Sequence, residues 1–186
     1  MRWTFPDHLE DVIFPSPLGS NQIEYVIANQ IAPSTACIHR SILKLQKFNT
    51  SLRINEDVEL FARIASNYEV IQIPEITIDF IVHSENTKSL VKDIITPQLI
   101  AMKTIFDNPD LKRKISPGFK RQRFRQLDHQ LINHYLNSGQ ISKMNIGIVK
   151  YLFKYPCDPQ NKSKLVLLLY NLPGGGLLQK LIRLLN

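Results

Sequence analysis

Two adjacent carboxylates, Glu56 and Asp57, directly follow Asn55 in a stretch whose apolar positions share one helical face. Val58, Phe61, Ala62 and Ala65 recur at i, i+3, i+4 and i+7, so the spacing predicts a helix opening at Glu56. Asn55 is a good N-cap type, and Glu56, Asp57 and Glu59 load the first turn with the charge the helix dipole favours. A carboxylate at such a position is held rigidly and points out of the fold, where it can take a proton from a substrate hydroxyl. The same residues also read as a well-capped helix start with a purely structural role. Arg63, further along that helix, can pair with Glu59 four residues earlier or meet a substrate phosphate. Arg40 is open to the same two uses.

These residues need elements to position them. Pro6, Pro15, Pro17 and Gly19 punctuate the first thirty residues, and a short helix is expected over about 21–29. Residues 34–39 read as a short buried strand, followed by a helical turn or two over 41–46 with Ser41 as its cap. After the Glu56 helix, 68–73 and 75–82 read as two strands, with Pro74 as the corner between them. Strand signals then stop. A helix over about 90–106 must tolerate Pro97, and Pro117-Gly118 reads as a turn. Helices are expected near 119–137, 141–153, 161–172 and 177–185, the first two as a hairpin about Ser138-Gly139-Gln140. The layout is a mixed α/β piece over 1–86 and a helical extension over 87–186.

Charge is unevenly spread. Residues 1–90 carry 7 Lys+Arg against 11 Asp+Glu, net −4, while 91–186 carry 16 against 5, net +11. The steepest part is the segment 112–125, with Lys112, Arg113, Lys114, Lys120, Arg121, Arg123 and Arg125 and no acid. Such a segment can attract lipid headgroups or phosphates, or it can be a solvated face. Few aromatics interleave with it and no nucleic-acid motif is present, so no nucleic-acid partner is expected. No apolar run approaches a membrane span, and Met1–His8 lacks the apolar core of a signal peptide. Cys37 and Cys157 show no metal-ligand spacing and fit free thiols in a reducing cytoplasm.

The order of pieces from Ile31 to Asn86 resembles the C-terminal half of bacterial family 2 (GT-A fold) glycosyltransferases. A small-residue strand, Ala32-Pro33-Ser34-Thr35-Ala36, leads to His39-Arg40, then to Phe48-Asn49-Thr50-Ser51-Leu52. Asn55-Glu56-Asp57-Val58-Glu59-Leu60 follows with Arg63, and then a strand pair ending in His83-Ser84-Glu85-Asn86. Phe48-Asn49 stands where Phe-Asp is usual, and Ile81-Val82-His83 replaces an Arg-x-His ending.

The resemblance implies a partial GT-A nucleotide-diphospho-sugar transferase fold, α/β in class, followed by the all-α tail. It implies inverting transfer of a sugar from a nucleotide-sugar donor to a saccharide or other hydroxyl acceptor, as in polysaccharide biosynthesis. Asp57 is then the catalytic base, with Glu56, Arg40 and Arg63 as substrate-binding residues. His83 is implied to hold a divalent metal, Mg or Mn, or the donor diphosphate, although a histidine at a strand end also reads as a surface or capping residue. The nucleotide-binding half normally ends in Asp-x-Asp, and neither that motif nor a phosphate loop occurs here; Gly174-Gly175-Gly176 reads as a linker. The chain is therefore expected to be a fragment that is inactive without the missing half, located in the cytoplasm or at the inner face of the membrane. The competing expectation is a non-catalytic helical adaptor that binds a protein partner or an anionic membrane surface through its basic C-terminal half, with peripheral membrane contact through 112–125.

Overall fold

The computed structural model describes residues 2–4, 9–11, 20–73, 75, 78–81 and 93–171. Its described residues form eight α-helices and three strands of three residues each. The helices are α1 (Gln22–Asn29), α2 (Arg40–Leu45), α3 (Glu56–Ala65), α4 (Ile95–Asp107), α5 (Pro109–Lys112), α6 (Pro117–Asn137), α7 (Ile141–Lys154) and α8 (Asn161–Tyr170). Strand β1 (Arg2–Thr4) pairs antiparallel with β2 (Leu9–Asp11) and parallel with β3 (Asp79–Ile81).

This corrects the α/β expectation: the chain is helical, and no layered GT-A sheet exists among the described residues. Two of the expected strands show why. Pro33–Thr35 closes a 3-10 turn, after which Ala36 is extended at φ −110, ψ 133 without joining a ladder. Residues 69–73 likewise belong to no strand, and Ile71 and Ile73 are 79% and 63% exposed rather than covered by a helix layer. Apolar alternation makes a backbone extended, but only a neighbouring strand turns it into sheet. Of the expected strand over 75–82, Asp79–Ile81 forms.

Contacts divide the chain into two compact units, Met1–Arg123 and Phe124–Asn186. The division falls well beyond residue 86 because α4 and α5 pack on α3 and so belong to the first unit. In that unit Tyr25 and Val26 of α1 meet Leu60 and Phe61 of α3, flanked by Ile31, Ile38, Ile64 and Val70. Met102, Ile105, Phe106, Leu111 and Ile115 are also buried. Asn21 caps α1 by accepting from the Ile23 and Glu24 N–H groups, and its own amide donates to the Lys114 carbonyl at 2.6 Å. Glu24 accepts from the Ser116 N–H at 2.6 Å, a second tie between the acidic N-terminal stretch and the basic one. Pro97 does not break α4: it lies in the first turn, where its missing N–H costs nothing, and Asp93 accepts from the Ile95 and Thr96 N–H groups. Pro117 similarly opens α6 rather than forming a free turn, with the Ser116 hydroxyl accepting from the Phe119 N–H.

The second unit is the expected helical hairpin with α8 added. Ile132, Met144, Ile148, Tyr151 and Tyr155 form its core, and Tyr135, Leu152, Leu167 and Leu168 pack against them. Gly139 turns the chain at φ +69, a conformation that side chains resist. Gly147 lets α7 approach α6 closely, since a Cβ there would lie 3.2 Å from the Ile132 side chain. No helix among the described residues is long and apolar enough to cross a membrane.

Candidate functional site

The start of α3 is built by backbone geometry more than by the cap its sequence suggests. Asn55 occupies the cap position in the left-handed region, φ 63, ψ 23, and makes no side-chain capping bond. Instead its carbonyl accepts from the Glu59 N–H at 3.0 Å, while Asp57 Oδ1 accepts from the neighbouring Val58 N–H at 2.7 Å. Left-handed asparagine is tolerated at some cost, and such positions gather where a chain must turn sharply to aim a side chain. Glu56 and Asp57 are both half-buried at this corner. One Asp57 oxygen is thus fixed by the backbone, an arrangement that suits a base of fixed direction.

Behind them lies a staple. Glu59, nearly buried, takes the Arg63 guanidinium as a two-point pair, Nε to Oε1 at 2.7 Å and one terminal nitrogen to Oε2 at 2.9 Å. The same guanidinium donates to the Lys47 carbonyl at 2.6 Å and to the Gln46 side-chain oxygen. Arg63 therefore locks the segment after α2 onto α3, and its fork is directed at these groups rather than at Asp57. Arg40 is exposed at the first position of α2. His39, not Ser41, caps that helix: its Nδ1 accepts from the Ser41 N–H and lies 2.8 Å from the Ser41 hydroxyl. Asn49 Oδ1 accepts from both the Ser51 N–H and hydroxyl, which sets the loop that carries Phe48.

His83 lies outside the described residues. Among the described residues no group of three or more His, Cys, Asp or Glu side chains could hold a metal ion. The Mg or Mn implied by the resemblance thus finds no donor set there.

A charged cluster in the second unit joins residues that no short-range pattern links. Asp158, with a side chain 4% exposed, accepts from the Tyr151 hydroxyl at 2.9 Å and the Gln160 N–H at 2.7 Å, and meets Arg125 at 3.3 Å. Burial works against its charge, but those two hydrogen bonds and the Arg125 and Lys164 cations outweigh it and hold the carboxyl below its ordinary range. Burial, then the bond to Asp158, pushes the Tyr151 hydroxyl well above its usual value. Lys164 is 4% exposed with its ammonium 4.2 Å from the Tyr151 ring centre, and burial lowers its pKa. Burial, then the Lys164 charge, lowers that of His129. Asp128 joins Lys154 at 2.7 Å and the Tyr155 hydroxyl at 2.8 Å. Every partner here comes from α6, α7, α8 or the turn between the last two, so the cluster braces the unit.

The basic segment is partly consumed by the fold. Lys114 donates to the Ser66 carbonyl, Lys120 to the Lys112 carbonyl, and Arg125 pairs with Asp158, while burial lowers the Arg123 pKa. Comparison with protein-family models, curated proteins and solved structures finds no match to this chain.

Proposed function

We propose that the first unit carries the acceptor-side base of an inverting glycosyltransferase, with Asp57 as that base. The observation that carries the reading is the corner at Asn55, which delivers a half-exposed Asp57 with one oxygen anchored on the Val58 N–H. The acceptor hydroxyl oxygen attacks the anomeric carbon, its proton passes to Asp57, and the bond from that carbon to the nucleoside diphosphate breaks. Glu56 stands beside Asp57 to position the acceptor, and Arg40 is exposed for an anionic group of the substrate. Arg63 contributes by holding the Gln46–Lys47 segment against α3. The donor needs a nucleotide-binding partner segment that the described residues do not supply. Leu45, Phe48, Ile71 and Ile73, all exposed apolar side chains of this unit, suit the packing of such a partner.

The test is release of nucleoside diphosphate from UDP-, GDP- and dTDP-sugars by the complemented protein. Asp57→Asn should lower turnover by about 10²-fold or more while leaving helix content unchanged. Turnover near the wild-type level in that variant rejects the reading. A second reading, a non-catalytic helical adaptor, is favoured by the helical architecture itself. It requires that Asp57→Asn change nothing.

A further inference from the structure

We infer that the second unit docks on the surface of an anionic lipid bilayer through the outward faces of α7 and α8. On α7 the buried positions are Met144, Ile148 and Tyr151, which fill the unit's core. The opposite side carries Ile146, Val149 and Phe153, at i, i+3 and i+7, exposed by 56%, 40% and 84%. Helical geometry places Lys143 and Lys150 along one edge of that stripe, both exposed. On α8 the exposed apolar residues are Leu165, Val166, Leu169 and Tyr170, with Lys162 among them. An apolar stripe edged by lysine is the pattern of a helix lying in the interface, its apolar face among the acyl chains and its ammonium groups at the phosphates.

Charge complementarity selects the occupant. Neither α7 nor α8 contains an acidic residue, and beyond Asp128 the sequence has one carboxylate side chain, Asp158. Asp158 is buried against Arg125, and Asp128 is paired with Lys154, so neither opposes an anionic surface. A protein partner would meet the same stripe, but a surface with cations and no free carboxylate suits a uniformly anionic one. In the segment 112–125, by contrast, Lys114, Lys120 and Arg125 are held by intramolecular bonds. The docking face is independent of Asp57.

The experiment is co-flotation of the full chain with vesicles of phosphatidylcholine mixed with phosphatidylglycerol, and with vesicles of phosphatidylcholine alone. The wild-type chain should float with the anionic vesicles, less so as salt rises, and poorly with the neutral ones. Phe153→Asp and Ile146→Asp should each lower partitioning about tenfold or more, and Phe153→Leu should restore most of it. Both positions face away from the core, so the two variants should keep wild-type helix content. Lys150→Glu with Lys162→Glu should weaken binding and flatten its salt dependence. Changing Lys112, Arg113 and Arg121 to Glu together should have a smaller effect than the lysine pair, and a larger one overturns the assignment. Failure of the wild type to float, or wild-type flotation of Phe153→Asp, also overturns it. So does a wild-type dimer that Phe153→Asp dissolves while neither protein binds vesicles, because the face is then covered by a second copy.

Discussion

Asp158 and Lys164 share a nearly dry site, and their proximity sets how the second unit answers to pH. Removing the carboxylate charge leaves Lys164 buried without its compensating anion and weakens the Tyr151 hydrogen bond. Asp158→Asn should therefore destabilise this unit by about 2 kcal/mol, read as a lower midpoint in urea. Because the folded carboxyl titrates below its ordinary value, its contribution is complete above that value and is lost as pH falls through the depressed one. Thermal melts taken from about pH 5 down to pH 2 should show the wild type losing stability, with a flatter profile for Asp158→Asn. An equal acid dependence in both chains would place the titrating group elsewhere. Little of this was readable beforehand, since Arg125 and Asp158 are 33 positions apart and no short-range pattern links them.

Among the elements, α3 was the most legible and the segments around it the least. Its apolar face, Val58, Phe61 and Ala62, is buried as the spacing demanded. The Glu59–Arg63 pair at i, i+4 also formed, but its further bonds to Gln46 and Lys47 span 17 and 16 positions and could not be read from periodicity. The cap was misread because asparagine serves two purposes. It caps with its side chain, and it also tolerates the left-handed backbone that Asn55 adopts. Residues 34–39 and 68–73 were misread because pattern reports extension and not pairing. The Arg63 staple gives the element-scale prediction. Arg63→Lys keeps the charge but not the planar fork, so it should cost about 1–3 kcal/mol and loosen the Gln46–Lys47 segment. Faster amide exchange over residues 46–52, with α1 unchanged, checks it; uniform exchange across both would mean the whole unit had weakened instead.

For the whole molecule, the helical hairpin and its linking Gly139 were visible in the spacing of apolar residues and breakers, whereas the α/β class expected for the N-terminal part is overturned by a helical structure. Sheet formation depends on which chain segments meet, and among the described residues three short strands meet. Residues 69–73, outside any helix or strand and with Ile71 and Ile73 facing solvent, have a consequence for handling the protein. Exposed apolar side chains on a segment outside any ladder can pack against another molecule, so self-association should nucleate there as concentration rises. A charge at the tip of that segment acts as a gatekeeper. Ile73→Lys should keep the protein monodisperse in light scattering at concentrations where the wild type clusters, with stability changed by no more than about 0.5 kcal/mol. Storage life, refolding yield and the concentration limit for spectroscopy would then all be set by a short segment whose Ile71 and Ile73 take no part in the core.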